Sequence, residues 1–196
     1  MSDLMILPFL LLIGAVLYRE NRNNYPEPDI TNVIPKNDTV YISGLGKYDD
    51  SDLEFAAKTI KDFYGYPCKI IDKVKTNKEM YVYKGKGLDD MVTLTKLWTD
   101  NIVSDISFNK TMLYITDEVI SQGNMGLRGT SLINYKNAIV RGGDPFMKLT
   151  IIHEMGHLLG LNHCNDLTCV MAIYNDEYDT GNFCIKCKKL INYPNI

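Results

Sequence analysis

The chain has 196 residues, enough for one domain with a sizeable core, and its 45% hydrophobic and 23% charged content is that of a globular protein. A net charge of −3 provides no basic field for a polyanion, so nucleic acid has no support as a partner. No internal repeat or low-complexity tract divides the chain.

The first segment, LMILPFLLLIGAVLY from Leu4 to Tyr18, is an uncharged apolar run containing a Pro and a Gly. At ~1.5 Å per helical residue it covers roughly three-quarters of a bilayer's hydrocarbon thickness. No Lys or Arg precedes it and no A-x-A-like site follows, which argues against a cleaved signal peptide. The polar stretch RENRNNYPEPDITNVIPKND behind it argues against a buried core helix. Residues 1–18 are therefore expected to form a single-pass membrane anchor, 19–38 a polar linker and 39–196 the folded domain. Arg19, Arg22 and Lys36 follow the run, so the positive-inside tendency places that domain on the cytoplasmic side.

TVYISG (39–44) alternates and is rich in β-branched residues, which predicts a strand. SDLEFAAKTIKDFYG follows as a helix, with Ser51 and Glu54 at capping-box spacing and Leu53, Ala56, Ala57, Ile60 and Tyr64 on one apolar face. CKIID (68–72) is a second strand, residues 88–100 a second helix and TMLYIT (111–116) a third strand. A Gly-rich polar segment, DEVISQGNMGLRGT, leads to two short strands, SLINY and NAIVR, joined around Lys136 and Asn137. GGDPFMKLTIIHEMGHLLG is the clearest helix: Asp144 can cap it, Pro145 suits its first position and Gly160 can end it in a left-handed conformation. CIKCKKLINY closes the chain as a short helix, and the alternation of elements gives an α/β fold.

All three histidines fall within HEMGHLLGLNHC. His153 and His157, one helical turn apart, project from the same face and can hold one side of a tetrahedral zinc. A rigid helix cannot wrap a third ring around the ion, but a turn at Gly160 can bring His163 back to it. Three neutral ligands leave an open site for water, whose pKa zinc lowers toward neutrality. Glu154 would sit beside that site as general base, taking the proton of the water and passing it to a leaving amine. Of the five cysteines, Cys164, Cys169, Cys184 and Cys187 crowd the last quarter as C-x4-C and C-x-x-C, a spacing closer to metal ligands than to a disulfide framework. Cys68 stands alone and reads as a small buried residue.

H-E-x-x-H-x-x-G-x-x-H is the metzincin signature, and the residues behind it, HCNDLTCVM followed by CIKC, resemble the archaemetzincin family. The similarity runs over roughly residues 39–190, including VYISGLG and SLINYKNAIV. It implies a metzincin-like catalytic domain: a mixed twisted sheet, an active-site helix and a small C-terminal subdomain. It also implies that Cys164, Cys169, Cys184 and Cys187 bind a second, structural zinc, and that Met171 is the methionine of the turn beneath the catalytic site. The spacer from Met171 to Cys184 is shorter than the family pattern, and residues 1–38 lie outside the family's core. The expectation is a monomeric, membrane-tethered zinc metallopeptidase with two zincs per chain, acting on peptide or protein substrates. SLINY or NAIVR would edge the cleft and accept an extended peptide by strand addition. The rival classes are a zinc hydrolase of a non-peptide substrate and a non-catalytic zinc module that binds peptides.

Overall fold

The computed structural model describes residue 34 and residues 38–76, 80–81, 87–90, 92–94, 96–97, 110–132, 136–173 and 181–191. The expected anchor, and nearly all of the linker behind it, lie outside the described residues. Among the described residues no helix is long and apolar enough to cross a membrane.

Strands β1 (Val40–Gly44), β2 (Cys68–Ile70), β4 (Thr111–Thr116), β7 (Gly129–Leu132) and β8 (Asn137–Arg141) form a mixed sheet in the order β2-β1-β4-β8-β7. The pairs β1–β2, β1–β4 and β4–β8 are parallel, and β7 runs antiparallel to β8 at the edge. The first parallel pair is made by a strand–helix–strand crossover through α1 (Asp50–Tyr64). β4 is buried along its whole length, as expected of a central strand covered on both faces. Its side chains alternate between two cores. Leu113 and Ile115, with Val40, Ile42, Ala138 and Val140, pack toward α1 and α2 (Met147–Leu158). Met112 and Tyr114, with Ile139, pack on the other side against Met80, Leu88, Leu94, Leu97 and Ile120.

Local chemistry explains where several elements differ from the sequence reading. α1 is capped by Asp49, whose Oδ1 accepts from both the backbone N and the hydroxyl of Ser51 at 2.8 Å; Ser51 is the donor and not the cap. The buried face of α1 includes Thr59 and leaves Ala57 half-exposed. Leu88 does not begin a helix: β3 (Leu88–Asp89) pairs with Ile120 and Ser121, and helix starts only at Asp90. Asp89 Oδ1 accepts from Val92 N, a start signal that the apolar spacing of 88–100 concealed.

The Gly-rich segment contains a hairpin, β5 (Ile120–Gln122) and β6 (Met125–Leu127), closed by Gly123 and Asn124 with Gly123 at φ 59°. A Gly-Asn pair between short apolar runs favours this tight turn. β7 starts at Gly129, two residues before SLINY, because Gly129 and Thr130 already pair with Val140 and Ile139.

Residues 141–161 mount the site helix. Asp144 does not cap α2 and Pro145 lies ahead of it: Asp144 Oδ1 accepts from Phe146 N at 2.8 Å, closing a turn one residue before the helix. Arg128 stacks on the Phe146 ring at 4.1 Å and approaches Asp144 at 3.7 Å, tying this turn to the strand next to it. At the other end, Gly160 N donates to His157 O and Leu161 N to Gly156 O, with Gly160 at φ 86°. These two bonds form a Schellman motif, which needs a residue that tolerates the left-handed region. α1 braces α2 from the side through the Tyr64 hydroxyl, which donates to Ile152 O in the buried interface.

Candidate metal centres

Helical spacing and the Schellman turn place three imidazoles together. The ligand-capable nitrogens of His153, His157 and His163 lie within 4.8 Å of one another. His157 Nε2 is 3.1 Å from His153 Nε2 and 3.2 Å from His163 Nε2. His153 Nδ1 lies 2.7 Å from Val170 O, and His157 Nδ1 lies 2.7 Å from Leu161 O. A carbonyl can only accept, so each Nδ1 carries the proton and each Nε2 presents a lone pair. Lone pairs of two neutral rings facing each other at that distance repel, and a cation between them removes the conflict. Burial, reinforced by the neighbouring imidazoles, pushes the pKa of His157 down to about 3 and that of His163 down to about 4. Both rings are therefore neutral at pH 7, the form that ligates metal. The donor set fits zinc, which takes three imidazoles and keeps one position open in catalytic sites.

Glu154 is 5% exposed and turns away from the solvent. Burial raises its pKa, opposed by the charge of His153 and by a hydrogen bond from the Ser131 side chain. Its Oε2 is buried without a partner. A buried carboxylate oxygen left unsatisfied is costly, and Glu154 follows the first of the three histidines directly in the helix.

The second cluster gathers Cys164, Cys169, Cys184 and Cys187, whose sulfurs also lie within 4.8 Å of one another. Cys164 and Cys184 are 3.8 Å apart at sulfur, and all four are free thiols. Backbone N–H groups point at the sulfurs: Cys184 N donates to Cys169 Sγ at 3.3 Å and Asp166 N to Cys164 Sγ at 3.4 Å. Hydrogen bonds from Cys187 and from the Cys184 backbone hold the Cys169 thiol below its usual pKa, which favours the thiolate. Four sulfurs in a closed group fit a structural zinc site.

The two clusters are joined twice. His163 and Cys164 are consecutive, and Cys164 N donates to Met171 O at 2.8 Å. Cys169 precedes Val170, whose carbonyl fixes His153. Met171 is fully buried, and its sulfur occupies the space that a side chain on Gly156 would need.

Comparison with known proteins agrees with this geometry. Residues 144–193 match the model of peptidase family M54. The archaemetzincin of Methanocaldococcus jannaschii is 24% identical over 163 residues, covering 76% of this chain and 90% of that protein. The archaemetzincin of Saccharolobus solfataricus is 43% identical over 51 residues, 22% of this chain and 28% of the relative. Among solved structures, Methanopyrus kandleri archaemetzincin superposes with a TM-score of 0.64 at 18% identity, covering 82% of this chain and 97% of its own. These likenesses support the archaemetzincin family for this chain.

The M54 match and the archaemetzincin relatives support a zinc metallopeptidase. The fold is the archaemetzincin fold, with a mixed twisted sheet and the four-cysteine cluster in its C-terminal region. The structure brings together the three histidines as one group and the four C-terminal cysteines as another, with Glu154 beside the first. The short spacer before Cys184 does not keep that cysteine from the other three. Cys68 lies apart, half-buried on β2, where burial pushes its thiol up to about 11. Of the two strands expected to edge the cleft, NAIVR is internal, since β8 lies between β4 and β7; β7 is the edge. Sequence reasoning missed Gly129, whose bare Cα lets Glu154 lie against β7, and the carbonyls of Val170 and Leu161 as partners of the ring nitrogens. A side chain's role can leave a mark in composition; the direction of a main-chain carbonyl cannot.

Proposed function

We propose that this archaemetzincin-family protein hydrolyses peptide bonds with Glu154 as its general base, a zinc on His153, His157 and His163, and a second, structural zinc on Cys164, Cys169, Cys184 and Cys187. The observation that carries the reading is the convergence of three Nε2 atoms, two of them tautomerically fixed, with the buried carboxyl of Glu154, one of its oxygens unpartnered, on the residue after the first ligand. Zinc in such a site supplies Lewis acidity, bringing the pKa of water near 7 and polarising a carbonyl. Glu154 Oε2 then takes the proton of the attacking water and delivers it to the amine nitrogen as the C–N bond breaks. Apolar surroundings push the carboxyl pKa up, which favours holding the proton between the accepting and the donating step. An extended substrate pairs with the open edge of β7, Gly129–Leu132, as an added strand.

The apolar run at 4–18 supports a membrane tether, with the positive charges behind it favouring a cytoplasmic domain. Protease treatment of intact cells tests this: the domain should be protected, and digestion from outside would overturn the orientation. The catalytic reading is tested by Glu154→Gln on a diverse quenched-fluorescent peptide library. Zinc content should stay at the wild-type level while hydrolysis falls by about two to four orders of magnitude. Wild-type cleavage by the variant would remove Glu154 from the mechanism.

A further inference from the structure

Gly129 opens β7, yet nothing in its backbone calls for glycine. Its φ is not positive, and it pairs with Val140 in the regular ladder between β7 and β8. A strand position of this kind loses stability by carrying no side chain, and often marks a close approach. The approach here is from α2. A Cβ on Gly129 would stand 2.6 Å from Thr150 Cγ2, 2.9 Å from Glu154 Cγ and 3.0 Å from Glu154 Oε1. Thr150 and Glu154 are four residues apart on α2, so they form one row along the face turned to β7. Thr150 is held in place by its hydroxyl, which donates to Phe146 O at 3.1 Å. Glu154 is buried, with its Oε2 unpartnered. By contrast, a Cβ on Gly126 of the neighbouring hairpin would meet nothing within 4 Å.

We propose that Gly129 is a positioning residue for Glu154: its bare α-carbon leaves the space in which the glutamate side chain lies against β7, and that wall sets the course of the carboxyl. This rests on Glu154 acting as the base. The helix alone does not supply the constraint, because a glutamate has three rotatable side-chain bonds and helical backbone restricts mainly the first. The terminal torsion is broad in energy. Main chain lying against both Cγ and Oε1 narrows the middle and the end of the side chain together. It is also a firm wall, since the ladder to β8 fixes it. A methyl at position 129 would have to push the glutamate, the threonine or the strand aside. Displacing a reacting group by about 1 Å can cost about a hundredfold in rate.

The test compares Gly129→Ala, Gly126→Ala and the double variant Gly129→Ala with Thr150→Ser in the zinc-loaded full chain. Gly129→Ala is also combined with Glu154→Gln. The readouts are kcat and KM on a quenched-fluorescent peptide, zinc content, thermal midpoint, and calorimetric affinity for acetohydroxamic acid, a zinc chelator whose acidic proton needs an acceptor beside the metal. Gly129→Ala should lower kcat by about ten- to a hundredfold with KM within about twofold. It should weaken acetohydroxamic acid by about tenfold and keep the zinc, because the atoms nearest the new methyl belong to Thr150 and Glu154 and not to a histidine. Gly126→Ala, whose methyl enters open space, should match wild type throughout. Thr150→Ser removes Cγ2 and keeps the hydroxyl, so the double variant should regain the thermal midpoint lost by Gly129→Ala. Its kcat should stay low, since the conflict with Glu154 remains. In the Glu154→Gln background Gly129→Ala should cost nothing further in kcat, because two groups that act as one unit are not additive. The inference fails if Gly129→Ala matches wild type in kcat and acetohydroxamic acid affinity, if it loses zinc, or if Gly126→Ala is equally impaired. It fails too if Thr150→Ser restores kcat, if the double variant does not fold, or if the effect on kcat persists without the carboxylate. Wild-type cleavage by Glu154→Gln alone would instead remove the base reading, whatever the glycine variants do.

Discussion

The histidine cluster and the cysteine cluster meet at consecutive residues, His163 and Cys164, yet they are assembled by different means. Two histidines share α2, and the third follows a Schellman turn whose hydrogen bonds lie within residues 156–161. Backbone hydrogen bonds therefore set all three positions, and the Nδ1 bonds to Val170 O and Leu161 O set two of the ring orientations. The cysteines come from a loop, from a tight turn and from the start of α3 (Ile185–Leu190). Their mutual placement rests on a few backbone bonds, Cys164 N to Met171 O and Val170 N to Asn182 O among them. The first site is pre-organised by secondary structure, and in the proposed function its metal would serve chemistry. The second lacks that support, and its proposed metal would serve as a cross-link for folding.

This contrast has its largest consequence in metal removal. Stripping both zincs should leave α2 protected in hydrogen exchange while amides of residues 164–173 and 181–190 lose protection, since closed thiolate sites contribute on the order of 10 kcal/mol of apparent binding to small zinc modules. Equal loss of protection in α2 would erase the distinction. A second test removes one ligand at a time. Metal analysis of wild type should give about two zincs per chain, falling to about one or fewer in Cys169→Ser or Cys187→Ser, with weakened catalysis. The loss of catalysis is expected because Cys169 adjoins Val170, which orients His153, and Cys164 adjoins His163. A wild-type content of one zinc with four freely titrating thiols would sink the two-metal reading. Full activity in Cys187→Ser would keep the second metal and discard its bracing role.

The reciprocal variant sharpens the asymmetry. His163→Ala should lose about one zinc while the four thiols stay unreactive to a thiol reagent, because the backbone bonds that place the cysteines, Cys164 N to Met171 O and Val170 N to Asn182 O, use no imidazole. Exposure of the thiols would show that support runs both ways. The smallest effect is expected at the α1–α2 brace. Tyr64→Phe removes the donor to Ile152 O and should lower stability by about 1 kcal/mol in denaturant unfolding, with zinc content unchanged. A loss of zinc there would mean that α2 owes its placement to α1 more than to its own turn.

Much of the histidine site was legible because its geometry is local. A period of 3.6 residues converts H-E-x-x-H into two rings on one face, and a glycine three residues on converts the next histidine into a third. The cysteine spacing pointed to metal, but the union of Cys164 and Cys169 with Cys184 and Cys187 depends on a chain return that no periodicity signals. The errors at element ends share one cause. Ser51 looked like a cap and Leu88 like a helix start because side-chain type suits several neighbouring positions, and the hydrogen bonds of Asp49 and the pairing of β3 with β5 choose among them.

The sequence by itself determined that three histidines converge, that Glu154 follows the first of them on the same helix, and that strands alternate with helices. Each depends on residues within about one or two helical turns of each other, where covalent geometry and backbone hydrogen bonding leave few choices. Tertiary structure decided which of SLINY and NAIVR lies at the edge, since both are five-residue runs mixing apolar and polar residues and the sheet order places β7 outside β8. It also decided that Gly129 lies against Glu154 and that Val170 O reaches His153, contacts whose partners are 25 and 17 residues apart. A side chain's neighbours across such distances follow from strand register and from how helix packs on sheet, and these are set by burial of the whole core rather than by any short stretch within it.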